Sequence, residues 1–271
     1  MAAPTRTVEG PVRAAADRLL LAASARRHVR RLMPRTVRRH RIWSGPLRGR
    51  RLVTSWHDYP GAILGYTERD LLRWLSTHVE LRETWIDIGA HYGYTALALC
   101  ELVGPQGRVF AFEPVLATAG HLSRTRALNG LSQLTVVPFA LAACREPLLA
   151  DVPLVRGMAE HLAVAGEAPA DRVIEIAFDE VWPSLSGGEP KIHGVKIDVQ
   201  GMEIEVLTGM QQALRDSRPV IVLEVHAGVD RAVLGDVLST MGYPGPPEPI
   251  EPEPGDPQRC VDDRSYCYLP Q

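Results

Sequence analysis

The sequence predicts an α/β protein whose core is a doubly wound, mostly parallel sheet with helices on both faces. Between about residues 84 and 241, short apolar segments alternate with segments of helical periodicity, and this alternation indicates successive βαβ units. Several of the short segments are almost wholly apolar, as expected of strands that helices cover on both faces. Residues 1–51 are arginine-rich, so we predict a separate N-terminal helical arm ahead of a domain at 52–271.

The predicted elements follow one another in a regular order. Leu52-Val53-Thr54 is a short strand, and Thr67 is placed to cap a helix from about Glu68 to His78. Later strands are predicted at Thr84–Ile88, Arg108–Phe112, Thr135–Pro138, Gly194–Val199, Pro219–Val225 and Ser265–Leu269. The helices among them are predicted at Tyr94–Val103, Ala117–Asn129, Met202–Arg215 and Arg231–Met241.

Two stretches depart from this pattern. The interval 140–192 is less regular, with one strand expected at Val173–Ala177, and it has room for insertions that face an acceptor substrate. Residues 244–258 are rich in proline and glutamate. Because proline cannot continue a helix or a central strand, we predict an exposed loop or lid there.

The N-terminal arm, residues 1–51, contains fourteen arginines but only two acidic residues, Glu9 and Asp17. Within it, residues 11–33 show an amphipathic basic pattern typical of a helix. A solvated arm or a helix that caps the domain explains this composition. Contact with a membrane surface, a nucleic acid or another anionic partner explains it too, as does a mitochondrial presequence. The sequence leaves these alternatives open.

The overall composition is that of a globular protein. The chain has 271 residues, of which 45% are hydrophobic, enough for a full core. No apolar run approaches the roughly 18 residues that a membrane span needs. The cysteines lack metal-like spacing and are expected to be reduced: Cys100, Cys144, Cys260 and Cys267. We therefore expect a cytoplasmic protein.

The segment Trp85-Ile-Asp-Ile-Gly-Ala-His-Tyr-Gly-Tyr-Thr95 carries the strongest functional pattern. An apolar strand runs into a tight turn with Gly89 and Gly93, and a helix begins at once. Glycine suits such a turn because it adopts unusual dihedrals and lets the backbone approach a ligand. The amides and the positive dipole end of the new helix then face the bound molecule. The predicted ligand contacts in this turn are Gly89, Ala90, His91, Gly93 and Thr95.

Two acidic residues favour S-adenosylmethionine as the ligand. The dinucleotide fingerprint Gly-x-Gly-x-x-Gly is incomplete, and Asp87 would repel a pyrophosphate but suits an α-ammonium group. Twenty residues after Gly93, Glu113 ends the next strand, where a carboxylate can accept hydrogen bonds from both ribose hydroxyls, and Pro114 fixes the turn. Ala140 is placed to lie along the adenine, although packing at the strand end explains it equally well. A nicotinamide or another nucleotide is the alternative ligand.

The methyl acceptor is expected at the ends of two further strands, since ligands of this architecture bind beyond the carboxyl ends of the strands. The segments Val195–Glu203 and Ile221–His226 bring polar side chains there. A hydroxyl acceptor must lose a proton. Asp198 and His226 are the candidate bases, and Asp198 has the alternative role of holding the cofactor or the next helix. Glu203 and Glu224 are weaker candidates, and without a compact ligand motif no metal is expected.

Four segments, taken in order, resemble the FkbM family of methyltransferases. They are Asp-Ile-Gly-Ala-His-Tyr-Gly-Tyr-Thr at 87–95, Phe-Glu-Pro at 112–114, Val-Lys-Ile-Asp-Val-Gln-Gly-Met-Glu at 195–203 and Val-Leu-Glu-Val-His at 222–226. The resemblance implies a Rossmann-like class I methyltransferase fold and O-methylation, often of sugar or polyketide hydroxyls. It places Asp87, Gly89, Gly93 and Glu113 at cofactor positions and Asp198 in the family's Asp-Val-Glu-Gly motif.

Gln200 stands where the family usually has glutamate. An amide can hydrogen-bond but cannot act as a base or an anionic ligand, so a catalytic role of that glutamate does not carry over. We predict an S-adenosylmethionine-dependent O-methyltransferase acting on a hydroxyl of a small-molecule or glycosylated acceptor. The alternatives are methylation of nitrogen or a carboxylate, and a non-catalytic cofactor-binding module that docks through its basic arm. No nucleic-acid partner is expected, while membrane contact through residues 1–51 and homo-oligomerisation stay open.

Overall fold

A hairpin and two helices precede the central sheet. The computed structural model describes residues 30, 32–155, 158–159, 170–188, 191–250 and 264–271. The first elements are β1 (Arg38–Arg41), β2 (Arg51–Thr54), α1 (Pro60–Leu64) and α2 (Arg69–His78). The first half of the sheet region contains β3 (Thr84–Ile88), α3 (Tyr94–Val103), β4 (Arg108–Phe112), α4 (Leu116–Asn129) and β5 (Leu134–Val137).

The remaining elements fall into an inserted sheet and the second half of the central sheet. The insertion contains β6 (Ala140–Leu141), β7 (Leu148–Val155), β8 (Met158–Ala159), β9 (Ala170–Ile176) and α5 (Phe178–Ser186). The second half contains β10 (Gly194–Ile197), α6 (Glu203–Gly209), α7 (Gln211–Ser217), β11 (Val220–Val225), α8 (Arg231–Thr240), β12 (Glu248–Pro249) and β13 (Arg264–Tyr268).

The central sheet has seven strands in the order β12-β13-β11-β10-β3-β4-β5. The five strands from β11 to β5 are parallel, and β13 and β12 extend the sheet by antiparallel pairing. Strand order reverses between β3 and β10, which is the switch point where such sheets bind ligands. The predicted doubly wound α/β fold is therefore confirmed, with its ligand edge at the carboxyl ends of β3 and β10.

The residues of β3 alternate between two hydrophobic cores, one on each face of the sheet. Trp85 packs in the core that contains α2 and α3, whereas Ile86 and Ile88 pack in the core that contains α5 to α8. Because successive strand side chains point to opposite faces, a strand buried on both faces must be apolar throughout. The one charged residue of this strand, Asp87, is fully buried, so its carboxylate needs a compensating partner.

The N-terminal hairpin crosses the predicted domain boundary at residues 51 and 52. Strands β1 and β2 pair antiparallel from Arg38 opposite Thr54 to Arg41 opposite Arg51. Ile42 and Leu47, inside the predicted arm, are buried in the main core. Residues 38–50 thus pack on the domain. The predicted helix at 11–33 lies outside the described residues except for positions 30, 32 and 33.

Two helix predictions need correction. Thr67 does not cap α2; Glu68 occupies the cap position with φ of 52°, and the Thr67 hydroxyl hydrogen-bonds the Tyr59 phenol instead. The single helix predicted at Met202–Arg215 is two helices that meet at Met210, whose φ of −123° is not helical. The break follows Gly209, where a Cβ would lie 2.0 Å from the Ala142 carbonyl oxygen, so this turn packs directly on the strand β6.

The irregular interval 140–192 contains a second sheet, with strand order β6-β9-β7-β8. Sequence analysis predicted one strand there, at Val173–Ala177, and β9 is longer, from Ala170 to Ile176. Strand β7 lacks alternating hydrophobicity and includes Pro153, which hid it from a pattern search. In the proline-rich stretch, Glu248–Pro249 is an edge strand, where proline is tolerated, and residues 251–258 lie outside the described part.

Among the described residues, no helix is both long and apolar enough to cross a membrane. The described cysteines Cys100, Cys144 and Cys267 are free thiols. Burial raises the pKa of the Cys100 thiol well above its usual range, which makes it unreactive. Cys260 lies outside the described residues.

Candidate active site

A cavity of about 220 Å³ opens at the carboxyl ends of β3, β4, β10 and β11. Of the residues predicted to contact ligands, eight line it: Gly89, Ala90, His91, Thr95, Glu113, Pro114, Ala140 and Asp198. Asp87, Gly93 and His226 lie behind its wall. We call residues 87–95 and 112–114 the cofactor side, and residues 196–203 and 224–226 the acceptor side.

The two glycines of the cofactor side are required by packing. Gly89 has φ of 78°, and a Cβ there would lie 1.8 Å from the Asp198 carbonyl oxygen. Gly93 has φ of 88°, and its Cβ would lie 2.1 Å from Leu122 Cδ1. The predicted close approach of backbone to ligand is therefore not the main reason for these glycines. They let the turn sit against β10 and α4, and so keep the N-terminus of α3 at the cavity.

Glu113 is held by the turn that it faces. Its Oε2 accepts a hydrogen bond from the His91 amide and its Oε1 accepts one from the Val115 amide, both at 2.9 Å. Burial raises the pKa of Glu113 to about 7, against the lowering effect of these two hydrogen bonds. Each carboxylate oxygen keeps a second lone pair, so Glu113 can still accept hydrogen bonds from ribose hydroxyls. This geometry fits the predicted ribose contact.

Asp87 is sealed from the cavity and lies opposite a lysine. Its side chain is 0% exposed, and its Oδ1 is 3.5 Å from Lys196 Nζ. Burial raises the pKa of Asp87, while Lys196 opposes that shift. The predicted direct contact between Asp87 and the cofactor ammonium does not fit this placement. Asp87 instead fixes Lys196, whose ammonium also lies 3.2 Å from Asp198 Oδ2.

Asp198 is a stabilised carboxylate at the end of β10. Its Oδ2 accepts a hydrogen bond from Lys196, and its Oδ1 accepts one from the Gln200 amide at 3.3 Å. Burial alone would raise its pKa, but Lys196 and His226 lower the pKa of Asp198 below its usual range. A carboxylate with a lowered pKa is a poor proton acceptor. Asp198 is therefore better suited to holding positive charge than to acting as a base.

His226 is buried behind the acceptor side. Its Nδ1 is 2.6 Å from Glu203 Oε1, and its Nε2 is 2.8 Å from Gln200 Nε2. Burial lowers the pKa of His226, but the hydrogen bond to Glu203 and the charges of Asp198 and Glu203 raise it to about 9. Both ring nitrogens are engaged and the ring is outside the cavity, so the predicted role of His226 as the base does not fit its position.

Gln200 connects the two predicted catalytic residues. Its backbone has φ of 54°, and its side chain lines the cavity between Asp198 and His226. With neutral His226 protonated on Nδ1, the amide nitrogen donates to both neighbours. With charged His226, the amide must turn so that its oxygen accepts from Nε2. The turned amide no longer donates to Asp198, so Gln200 bonds both neighbours only when His226 is neutral.

Glu224 is an acceptor-side carboxylate that reaches the cavity and makes no hydrogen bond to the other described residues. Its side chain is 22% exposed, and His226 Nε2 lies 3.7 Å from its Oε1. The charge of Asp198 and burial raise the pKa of Glu224 to about 8. Sequence analysis ranked this residue below His226. Its raised pKa depends on Asp198, which is 26 positions away in the chain. The sequence alone does not show that the two residues are neighbours.

Three side chains of the acceptor side bring oxygen and nitrogen atoms within 4.8 Å of one another: Asp198, Glu224 and His226. Within the described residues, the Lys196 ammonium and the Gln200 amide already contact Asp198, and Gln200 also meets His226 Nε2. A cation there would displace the amide. We therefore keep the prediction that the site works without a metal.

A further wall of the cavity comes from the segment before the sheet, which carried no recognisable motif. Asp58, Tyr59 and Glu68 line the cavity from this segment. The Tyr59 ring lies 5.1 Å from the His91 ring and 6.1 Å from the Tyr94 ring. These residues add aromatic surfaces and carboxylates that the sequence did not reveal, because the segment reaches the site only through tertiary packing.

The chain is similar in sequence to known methyltransferases. Residues 87–243 match the family model described as the methyltransferase FkbM domain. Over 174 residues, the chain is 32% identical to the hexuronic acid methyltransferase AglP of Haloferax volcanii, with 64% of this chain and 68% of that protein aligned.

Two solved structures are also similar in fold. The methyltransferase FkbM from Methylobacillus flagellatus is 17% identical with a TM-score of 0.45, and the match covers 69% of this chain but only 43% of that one. The Aeropyrum pernix fibrillarin with bound S-adenosyl-L-methionine is 14% identical with a TM-score of 0.46, over 86% and 82% of the two chains.

The glycine turn, the buried Glu113 and the family match over residues 87–243 lead to one conclusion. The chain belongs to the FkbM methyltransferase family and is an S-adenosylmethionine-dependent methyltransferase.

Proposed function

We propose that the protein transfers a methyl group to a hydroxyl of a sugar-type or other glycosylated acceptor. One observation carries the proposal, namely the excess of carboxylates around the cavity. Asp58, Glu68, Glu113, Asp198 and Glu224 line it, together with Lys196. Lys196 is already engaged by Asp87 and Asp198.

The charge of the cavity favours a neutral acceptor. A carboxylate acceptor would lose its hydration and meet like charges, a costly combination in a buried site. A hydroxyl instead donates hydrogen bonds to carboxylates. The Tyr59 ring adds a flat surface against which an apolar sugar face can pack. Such a mixture suits a polyhydroxylated ring.

The residues of the cofactor side would hold S-adenosylmethionine, which supplies an activated methyl group when bound. Glu113 accepts hydrogen bonds from the ribose, and the turn from Gly89 to Thr95 surrounds the amino-acid part of the cofactor. Ala140 lies against the adenine. Apolar groups of Ile88, Phe112 and Leu141 close the wall and exclude water. The acceptor side orients the hydroxyl and receives its proton, and orientation alone supplies a large part of the rate of a displacement reaction.

A carboxylate acceptor is the second candidate, because the name of AglP specifies a hexuronic acid. A hexuronic acid carries both hydroxyls and a carboxylate, so this name supports a sugar-type acceptor without selecting the atom that is methylated. The N-methylation alternative has no such support.

The test uses two sugars that differ in one group, methyl β-D-glucopyranoside and methyl β-D-glucuronide. Each is incubated with the protein and methyl-labelled S-adenosylmethionine, and the product is treated with alkali, which cleaves methyl esters but leaves methyl ethers intact. We expect alkali-stable label on the glucopyranoside, and less of it on the glucuronide, whose carboxylate meets like charges in the cavity. Label on the glucuronide alone, lost in alkali, would show that the acceptor is a carboxylate.

A further inference from the structure

The acceptor side contains four titratable groups that sequence analysis considered as bases. They are Asp198, Glu203, Glu224 and His226. A catalytic base must reach the proton that it removes and must be a good acceptor near the working pH. Each group can be judged on those two requirements from its position and its partners.

Glu203 and His226 fail the first requirement. Glu203 is 0% exposed and His226 is 4% exposed, and neither side chain lines the cavity. They bind each other through a contact of 2.6 Å. This pair forms a charged support behind the wall and has no route to an acceptor in the cavity.

Asp198 fails the second requirement. It lines the cavity, but Lys196 donates a hydrogen bond to its Oδ2, and His226 Nε2 lies 3.5 Å from its Oδ1. Each of these interactions stabilises the ionised form, so the carboxylate has little tendency to take a proton. The charge of Asp198 is also the largest cause of the raised pKa of its neighbour Glu224.

Glu224 meets both requirements. It lines the cavity, and within the described residues it makes no hydrogen bond that would tie up its oxygens. The charged groups that face it are Lys196 of β10, Asp198 just after β10, Glu68 before α2, and His226 just after its own strand. The charge of Asp198, burial and the charge of Glu68 raise the pKa of Glu224, and the two cations lower it. The net pKa of about 8 leaves a carboxyl that exchanges its proton near neutral pH.

We propose that Glu224 is the catalytic base that takes the acceptor's hydroxyl proton, with His226 and Asp198 as positioning residues that set its charge. This inference rests on the proposed methylation of a hydroxyl. The acceptor oxygen bonds to the methyl carbon, the carbon–sulfur bond breaks with its electron pair left on sulfur, and the hydroxyl proton passes to a Glu224 oxygen. The charge lost from the sulfonium is balanced by neutralisation of the carboxylate.

The first consequence concerns rate. Glu224→Gln keeps the shape but cannot accept the proton, so kcat/KM for alkali-stable methylation of methyl β-D-glucopyranoside should fall about 100-fold or more. S-adenosylhomocysteine binding, measured by calorimetry, should change less than threefold. Glu205→Gln is the matched control, because Glu205 is an exposed acid on α6 that does not line the cavity, and it should leave both quantities unchanged.

The second consequence concerns pH and separates catalysis from structure. Wild-type kcat/KM should be lost as the pH falls through about 8. This decline, the acid limb of the pH profile, should be absent in Glu224→Gln. Asp198→Asn removes the charge that most raises the pKa, so the limb should move about one unit lower. His226→Gln removes a cation that lowers the pKa, so the limb should move higher.

A direct titration gives a readout that does not depend on turnover. Protein labelled with ¹³C at the glutamate carboxyl is titrated by NMR from pH 4 to 10, with the Glu224 signal identified by its absence in Glu224→Gln. We expect a midpoint near 8 that Asp198→Asn lowers and His226→Gln raises. A Glu224 that titrates in the ordinary range, or a Glu224→Gln enzyme that still forms the ether at the wild-type rate, would overturn the inference. Failure of the wild type to form any ether would instead overturn the proposed function.

Discussion

The two sides of the cavity are built in different ways. On the cofactor side, backbone conformation decides the shape, since Gly89 and Gly93 take positive φ values and Glu113 binds two backbone amides. On the acceptor side, side-chain charge decides the chemistry, through contacts among Lys196, Asp198 and their neighbours. A short local pattern can therefore identify the cofactor, whereas the acceptor chemistry depends on groups that only the fold brings together.

The largest expected effect is on the cofactor side. Gly89→Ala places a Cβ 1.8 Å from the Asp198 carbonyl oxygen in a left-handed backbone conformation, so it should lower the free energy of unfolding by about 3 kcal/mol. The measurement is urea denaturation. Gly120→Ala, on α4, is the matched control because its Cβ meets nothing within 4 Å, and it should be neutral or stabilising. Equal losses in both variants would show that the turn is not tightly packed.

The next largest effect is expected for Glu113, because its carboxylate is the proposed hydrogen-bond acceptor for the ribose on the cofactor side. Glu113→Ala should weaken S-adenosylmethionine binding at least tenfold, about 1.4 kcal/mol, through loss of a charge-assisted hydrogen bond. Isothermal calorimetry measures it. Asp87→Asn, behind the wall, should change affinity less than Glu113→Ala does and should mainly lower stability. If Asp87→Asn weakened binding more, the ammonium contact predicted from sequence would be restored.

Gln200 offers a smaller and more specific change, confined to the acceptor side. Gln200→Glu adds a like charge beside Asp198, so it should raise the pKa of Glu224 further and move the limb of kcat/KM about one pH unit higher. Cofactor affinity should change less than twofold. A large loss of cofactor affinity would show that the two sides do not act separately.

The smallest expected effect is that of metal removal. Exhaustive dialysis against EDTA should leave kcat/KM within twofold of its starting value, because Lys196 and Gln200 already satisfy Asp198. Loss of activity that is restored by a divalent cation would place a metal among Asp198, Glu224 and His226.

The sequence was most informative where structure is local. The bounds of β3, α3 and β4 agree with prediction, because an apolar strand followed by a glycine turn and a helix is determined by neighbours in the chain. Glu113 directly follows β4, as the sequence predicted, for the same reason. The family match over residues 87–243 covers the end of β3, all of α3 and β4, and Glu113.

The sequence was least informative where contacts span long separations. Strand β7 pairs with β9 but has no alternating pattern of its own. Tyr59 reaches the cavity from a segment without a motif. His226 was ranked above Glu224 without knowledge of its burial and its contact with Glu203, which are tertiary properties. Side-chain titration depends on neighbours that periodicity does not specify.

The assignment of a cofactor side and an acceptor side is tested most directly by a crystal structure of the full chain with S-adenosylhomocysteine. We predict that the ribose hydroxyls bind the Glu113 carboxylate and that the sulfur faces open space bordered by Glu224, with His226 out of reach behind Gln200. A ribose bound among Asp198 and Glu224, or a sulfur that faces His226 directly, would contradict the assignment of the two sides.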